Sequence, residues 1–210
     1  MWANIHSLVN IINMNTEFTD RQTEIINASL EIIAESGIQS LTIKNISKKI
    51  GLVESAIYRH YESKTQILIA VLDSISEQPK SNEIKETESV FGILEKKLGY
   101  HFRTFNEKPV LVSVVFAEDL FQNEPTLVEK TRLKVEKSIS DLSALIQKGQ
   151  QSGEIRSDIN PETVSVMING SVRMLVKQWK MTEYSFNLIQ RGKDLISSFI
   201  VILKKENFDY

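Results

Sequence analysis

The sequence contains no cysteine and few histidines, glycines and prolines. Among its 210 residues are three histidines, eight glycines and four prolines. Without cysteine the chain has no disulfide, no thiolate nucleophile and no Cys-containing zinc or iron–sulfur site. The histidines, His6, His60 and His101, are scattered along the chain, and no H-E-x-x-H motif occurs. We therefore expect no metal site, no cofactor and no enzyme activity.

The scarcity of turn-forming residues also limits the fold class. A β-sandwich or barrel needs many turns marked by glycine, proline or asparagine, and this chain has too few of them. Apolar residues make up 41% and charged residues 25% of the sequence, which is typical of a globular protein. Apolar side chains recur at spacings of three and four, whereas no segment shows the two-residue alternation of a strand. The sequence predicts an all-α protein with about nine helices.

Long hydrophobic runs are missing as well. The longest nearly apolar run, residues 110–117, is far shorter than the ~20 residues that span a bilayer. The first lysine or arginine is Arg21, so the N-terminus lacks the positive start of a secretory signal. We expect a cytoplasmic protein without membrane association. Residues 1–13 are interpreted as an upstream extension of a chain whose natural start is Met14.

One polar window divides the chain. Residues 76–89 are the most polar stretch and contain Pro79, which favours a linker. The sequence therefore predicts a flexible N-terminal extension at 1–17, a small helical domain at 18–75, the linker at 76–89 and a larger helical domain at 90–210.

The small domain has the pattern of a helix-turn-helix. Thr42 is a good N-cap for a short helix that Gly51 ends, a third short helix follows, and Ser63 caps a fourth. Five basic and two acidic side chains lie between Thr42 and Lys64. This segment therefore carries a net charge of +3, against −5 for the rest of a chain whose total is −2. Positive charge is concentrated where a helix-turn-helix would meet phosphates.

The segment 42–61, TIKNISKKIGLVESAIYRHY, resembles the DNA-binding motif of the tetracycline-repressor-like (TetR) family of bacterial transcription regulators. The shared features are a threonine before the second helix, the glycine turn, the string IYRHY at 57–61 and a lysine, Lys64, that opens the fourth helix. The match extends over residues 18–75. It implies a homodimeric, sequence-specific DNA-binding regulator, most often a repressor, which a small molecule releases from its double-stranded operator.

The predicted contacts with DNA fall into two classes. Tyr58, His60 and Lys64 can donate to phosphate oxygens, which fixes the register without reading sequence. Glu54 and Ser55 stand at the start of the third helix, where side chains reach base edges. The predicted DNA-binding residues are Thr42, Lys44, Val53, Glu54, Ser55, Tyr58, Arg59, His60 and Lys64.

Val53 departs from the family pattern, which commonly has serine or threonine at this N-cap position. Valine cannot cap a helix, and the loss of a cap costs ~0.5–2 kcal/mol. Either Ser55 or water replaces the cap, or Val53 contacts a thymine methyl group. Two neighbours have simpler interpretations: Tyr61 is expected in the core, and Lys48 and Lys49 are expected on a solvated face.

The larger domain is predicted to bind an effector and a second copy of the chain. Its apolar composition favours a hydrophobic effector, and the resemblance implies that the last two helices form a four-helix bundle with the partner. The predicted pocket residues are His101, Phe102, Phe105, Phe116, Phe121, Met167, Met174 and Trp179. The predicted dimer-interface residues are Gly170, Ser171, Leu195, Phe199 and Ile202. His101 has a simpler interpretation as a core histidine. The alternative function is a DNA-binding or partner-binding protein without an effector, which a solid C-terminal core would favour.

Overall fold

A computed structural model describes residues 18–74, 88–116 and 124–205. These ranges contain nine α-helices, one 3₁₀ turn and, as their only β pairing, an isolated bridge between Ile155 and Lys204. The all-α prediction is confirmed. The predicted extension at 1–17 and all but the last two residues of the predicted linker lie outside the described residues. No helix in the described ranges is long and apolar enough to cross a membrane.

The helices are numbered in chain order. They are α1 (Asp20–Ser36), α2 (Ile43–Ile50), α3 (Glu54–Tyr58), α4 (Lys64–Asp73), α5 (Val90–Glu107), α6 (Val110–Val115), α7 (Pro125–Ser152), α8 (Pro161–Met181) and α9 (Leu188–Leu203), with the 3₁₀ turn at Ile38–Ser40 after α1.

Most helices begin at a polar side chain that accepts a hydrogen bond from a backbone amide three residues later. The hydroxyls of Thr42 and Ser63 accept from the amides of Asn45 and Gln66 at 3.1 and 3.2 Å. Asn160 caps α8 ahead of a proline at the first helical position. Helices α1, α5 and α9 begin in the same way, at Thr19, Ser89 and Asn187. Helices α3 and α6 differ, because no side chain caps either of them.

Gly51 ends α2 in a left-handed conformation, with φ 71° and ψ 29°. A side chain with a Cβ atom is strained there, whereas glycine is not. The amide of the next residue, Leu52, donates to the carbonyl of Ser47 at 2.9 Å. The chain thereby turns sharply between α2 and α3, as the sequence predicts.

The described residues belong to two compact units. The first unit comprises Met1–Glu77 and Pro109–Thr131, and the second comprises Gln78–Lys108 and Arg132–Tyr210. Helix α7 contributes its first seven residues to the first unit and the rest to the second. The first unit thus includes residues 109–131, which the sequence analysis assigned to the larger domain.

The core of the first unit is built from branched aliphatic side chains of α1, α2, α3 and α4, together with residues of α6 and α7. Val114 and Leu127 are fully buried in this core although they follow the helix-turn-helix by more than 40 residues. Other fully buried members are Ile25, Ile26, Leu41, Ile46, Ile57, Ile67 and Val71.

The second unit packs α5 against α8 and α9, with α9 as the main neighbour of α5. Phe102 of α5 is 1% exposed and lies directly on the backbone of α9 at Gly192. A Cβ atom at Gly192 would stand 2.4 Å from the Phe102 ring, so only glycine permits this approach.

Candidate nucleic-acid interface

Two fully buried isoleucines attach the helix-turn-helix to the core of the first unit. Ile46 of α2 and Ile57 of α3 are both 0% exposed, and they anchor the two short helices in the core of the first unit. Tyr61 follows α3 and is 6% exposed, which confirms the predicted core aromatic. These three side chains are buried in the core. Other side chains of α2 and α3, among them Lys44 and Glu54, are exposed to solvent.

Most of the predicted DNA-binding residues are exposed on these faces. Val53 and Tyr58 are 68% and 50% exposed, the most exposed large apolar side chains of α2, α3 and their junction. Thr42, Lys44, Glu54, Ser55 and Arg59 are also exposed, while His60 and Lys64 are half-buried. The structure therefore brings all nine residues to one helix-turn-helix and the adjoining start of α4.

The cationic side chains of this surface fall into two groups. Within the described ranges, Lys44, Lys48, Arg59 and Lys64 form no ion pair. Lys49 is different, because its ammonium group lies 2.6 Å from a carboxylate oxygen of Glu35 and 3.2 Å from one of Glu31. The hydrogen bond to Glu35 is the main reason that the pKa of Lys49 lies above its ordinary value.

Lys49 therefore joins α2 to α1, and it lies, like Lys48, at an exposed position, as the sequence predicts. Its acidic partners are four residues apart on α1 and present their carboxylates to one ammonium group. Sequence reasoning missed this contact, because the helical spacing of Glu31 and Glu35 does not show which element packs beside them.

Tyr61 carries a buried hydroxyl group that has no hydrogen-bond partner in the part of the chain that the structure describes. Burial raises the pKa of Tyr61 to about 12. Its ring fills the core, but its oxygen contributes an unsatisfied polar atom.

A second feature missed from sequence is the attachment of α4 to the start of α7. The hydroxyl of Thr65 donates to Glu124 at 2.8 Å, and the ammonium of Lys130 lies 2.9 Å from the carboxylate of Asp73. The two contacts lie near opposite ends of α4, and Leu127 is buried in the same core. They explain why the compact unit around the helix-turn-helix includes the first turns of α7.

The predicted pocket residues are not all brought together. Phe102, Phe105 and Trp179 are buried in the second unit. Trp179 also has a local structural role, because its indole N–H donates to the carbonyl of Phe186 at 3.0 Å and its ring packs edge-on against Tyr184. The remaining predicted aromatic residues are elsewhere: Phe116 belongs to the first unit, and Phe121 lies outside the described residues.

Met167 and Met174 are not part of that interior. They are 54% and 64% exposed on α8, and the intervening Gly170 has open space where a Cβ atom would stand. Among the predicted dimer residues, Gly170 and Ile202 are exposed, Leu195 and Ser171 are half-buried, and Phe199 packs in the second unit's own core. Two further exposed apolar side chains, Val166 of α8 and Val201 of α9, were missed by sequence reasoning.

His101 lies on α5 beside Phe102, with Tyr100 packed edge-on against its ring. No hydrogen bond to its imidazole occurs within the described residues. Burial, with a smaller contribution from the positive charge of Lys97, lowers the pKa of His101 to about 4. The ring is therefore neutral near pH 7 and retains a donor and an acceptor for a further partner.

Comparisons with known proteins agree with this arrangement. The family model for bacterial regulatory proteins of the tetR family matches residues 25–71, and the model for the YsiA-like protein C-terminal region matches residues 68–202. The fatty acid metabolism regulator protein of Bacillus subtilis (strain 168) is 24% identical over 180 residues, covering 84% of this chain and 92% of that protein. The probable acrEF/envCD operon repressor of Escherichia coli (strain K12) is 21% identical and covers 84% of each chain.

Solved structures show the same fold. The transcriptional regulator FadR from Bacillus subtilis, in complex with stearoyl-CoA, has a TM-score of 0.75 and 24% identity, covering 84% of this chain and 96% of that one. The SmeT–triclosan complex has a TM-score of 0.78 at 15% identity, covering 90% and 94% of the two chains. With a matching N-terminal model and a C-terminal model that spans more than half of its length, the chain belongs to the TetR family of bacterial regulatory proteins.

Proposed function

We propose that this protein is a homodimeric transcriptional repressor that binds a specific DNA operator and leaves it when a hydrophobic small molecule binds. The observation that carries the DNA-binding part is the helix-turn-helix segment, which has four cationic side chains without ion pairs in the described ranges and an exposed start of α3. Such cations supply affinity for phosphates, and polar side chains at the start of a recognition helix supply sequence preference.

Each group of residues has a distinct task in this proposal. Lys44, Arg59 and Lys64 contact phosphates, as does the Tyr58 hydroxyl, and these contacts position the protein without reading sequence. Glu54 accepts a hydrogen bond from the amino group of cytosine in the major groove. Two copies of the chain would place two such helices about one helical turn, ~34–36 Å, apart.

The test is binding to a duplex taken from the DNA upstream of the protein's own gene, measured by fluorescence anisotropy at several salt concentrations. We expect Lys44→Ala to reduce the salt slope by about 0.9 for each phosphate that is no longer neutralised, or by about two in a dimer. Lys49→Ala is the matched control, because it removes the same charge from the same helix at a lysine already paired with α1. Equal slopes for the two variants, or no binding at low salt, would contradict the proposal.

The proposal of a homodimer is supported by the exposed apolar stripe of α8. Val166, Met167 and Met174 are each more than half exposed, on a helix that already packs against α9 and α5 through its opposite side. Gly170 lies between them with open space beside it, so a second backbone can approach closely. Val201 and Ile202 of α9 are exposed apolar side chains as well. A stripe of this kind is typical of a protein–protein interface.

We propose an amphipathic, long-chain ligand such as an acyl-CoA as the effector. The FadR structure in complex with stearoyl-CoA, a relative at 24% identity, supports this class of ligand. In the present chain, α5 contributes the buried Phe102 and Phe105, beside the neutral imidazole of His101. An apolar interior with one available hydrogen-bonding group suits an acyl chain with a polar carbonyl at its head.

The test is the release of bound duplex by stearoyl-CoA, with octanoyl-CoA and free coenzyme A as comparisons. We expect release by stearoyl-CoA at the lowest concentration and no release by free coenzyme A, because burial of methylene groups supplies most of the affinity. If none of the three changes DNA binding while binding itself is intact, the alternative of a DNA-binding protein without an effector is favoured.

A further inference from the structure

We infer that Val53 is a specificity-determining residue that recognises the methyl group of a thymine in the major groove. The inference rests on the proposed DNA-binding function. It adds which base Val53 recognises, thymine, and which group of that base it contacts, the methyl group. Its basis is the combination of position, exposure and chemistry at one residue.

No structural role in the folded protein accounts for a valine at position 53. Its side chain is 68% exposed, so it contributes little to the core. It stands at the N-cap of α3, where it cannot accept the hydrogen bond that Thr42 and Ser63 accept at the starts of α2 and α4. Its backbone, with φ −83° and ψ 151°, is extended and suits any residue.

Ser55 does not replace the missing cap in the folded protein. Ser55 could have replaced the missing cap, but within the described residues its hydroxyl makes no hydrogen bond and no side chain caps α3. No side chain of the free protein therefore caps α3, and a branched apolar side chain remains exposed on a surface that is otherwise polar or aromatic.

Its location points to the partner. The first residues of a recognition helix are those that contact base edges, and Val53 immediately precedes the exposed Glu54 and Ser55. Among the four bases, thymine alone presents an apolar group in the major groove, the methyl group at C5. Small apolar side chains recognise it by direct contact, which removes both groups from water.

The experiment first selects a duplex from a random library with the wild-type protein. Each thymine of the selected duplex is then replaced, one at a time, by deoxyuridine, which lacks only the methyl group. We expect one position in each half-site where this replacement weakens wild-type binding by about fourfold, as burial of one methyl-sized group predicts. For Val53→Ala, uracil and thymine at that position should bind within about twofold of each other.

Two further variants separate base recognition from helix capping. Val53→Thr keeps one methyl group and should keep the preference for thymine, whereas Val53→Ser should lose it, although both residues can cap α3. Thermal unfolding of all variants checks that the first unit stays folded.

Each outcome has one meaning. The inference is overturned if the selected duplex has no position where uracil weakens binding. It is also overturned if uracil weakens binding of the wild type and of Val53→Ala equally. In both cases the proposed function stands. If no duplex is enriched at all, the proposed function fails, and the inference fails with it.

Discussion

The helix-turn-helix and helix α8 expose opposite kinds of surface. On α2 and α3, apolar side chains such as Ile46 and Ile57 are buried, and the exposed positions are charged or polar with Val53 as the main exception. On α8, one apolar face is buried and a second, with Met167 and Met174, is exposed. A polar, cationic surface suits a charged partner, whereas an apolar one suits another protein surface. The two units therefore differ in the chemistry of the partners we propose for them.

The strongest test of this contrast is to place charge on the exposed apolar face. In Met167→Glu combined with Met174→Glu, a two-fold interface would bury four carboxylates without partners. We expect the dimer dissociation constant to rise by at least about 100-fold, with a parallel loss of DNA affinity. Sedimentation velocity over a range of concentrations measures the first effect.

The matched control is Ser140→Glu combined with Gln147→Glu. These exposed residues of α7 have the same spacing, and the proposed interface does not include them. A wild type that sediments as a single chain, or a methionine variant that dimerises as well as the control, would show that the apolar face of α8 has another purpose.

The interior of the second unit depends on one close contact, which Gly192→Ala would disrupt. The new Cβ atom would stand 2.4 Å from the Phe102 ring, and α5 and α9 would have to separate. We expect a loss of about 3 kcal/mol in the free energy of unfolding, the upper range for overpacking. Urea unfolding measures it.

Gly99→Ala serves as the comparison, because its Cβ atom would meet only the flexible end of Arg103, at 3.4 Å. That change should stabilise α5 by about 0.5–1 kcal/mol through helix propensity. Similar effects of the two alanines would mean that the contact between Phe102 and Gly192 is not tight in solution.

His101 makes the stability of the second unit sensitive to acid. The unfolded chain takes up a proton at this residue below pH 6.5, whereas the folded chain does so only near pH 4. The stabilising contribution is therefore complete above pH 6.5 and is lost as the pH falls towards 4. Between pH 6.5 and pH 4, we expect the free energy of unfolding of the wild type to fall by about 3 kcal/mol more than that of His101→Leu. Parallel curves for the two proteins would contradict it.

In the first unit, Tyr61→Phe should raise stability. The change removes a buried hydroxyl without a partner in the described residues and keeps the ring, so we expect a gain of about 1 kcal/mol. Since the folded pKa is raised to about 12, the wild type should also lose stability above pH 10, and the variant should lose less. Tyr58→Phe, at an exposed position, should change neither quantity. A loss of stability in Tyr61→Phe would indicate that the hydroxyl does have a partner.

Local features of the fold were predictable from sequence. The caps at Thr42 and Ser63 and the turn at Gly51 each depend on a few neighbouring residues, and all three are confirmed. The distinction between the buried Tyr61 and an exposed Tyr58 followed from the motif and is also confirmed.

Features that depend on distant elements were not predictable. The ion pairs of Lys49 with α1 and the packing of Phe102 on Gly192 join residues far apart in sequence. The apolar residues of the larger domain favoured a pocket and a dimer interface, but the sequence could not show which of them the chain itself covers. Met167 and Met174 were therefore predicted to line a pocket, whereas they are exposed.

The uncapped start of α3 has a consequence for local motion. Helices α1, α2 and α4 each begin with a hydroxyl that holds a backbone amide, but α3 begins after Val53 and is only five residues long. Its first amides should exchange with solvent deuterium faster than those at the starts of its neighbours, and bound DNA should slow them. The side chain that we propose to read thymine is thus also the one that leaves its helix least protected. At this position valine offers methyl groups for base recognition but no cap, whereas the threonine of Val53→Thr would offer one methyl group together with a capping hydroxyl.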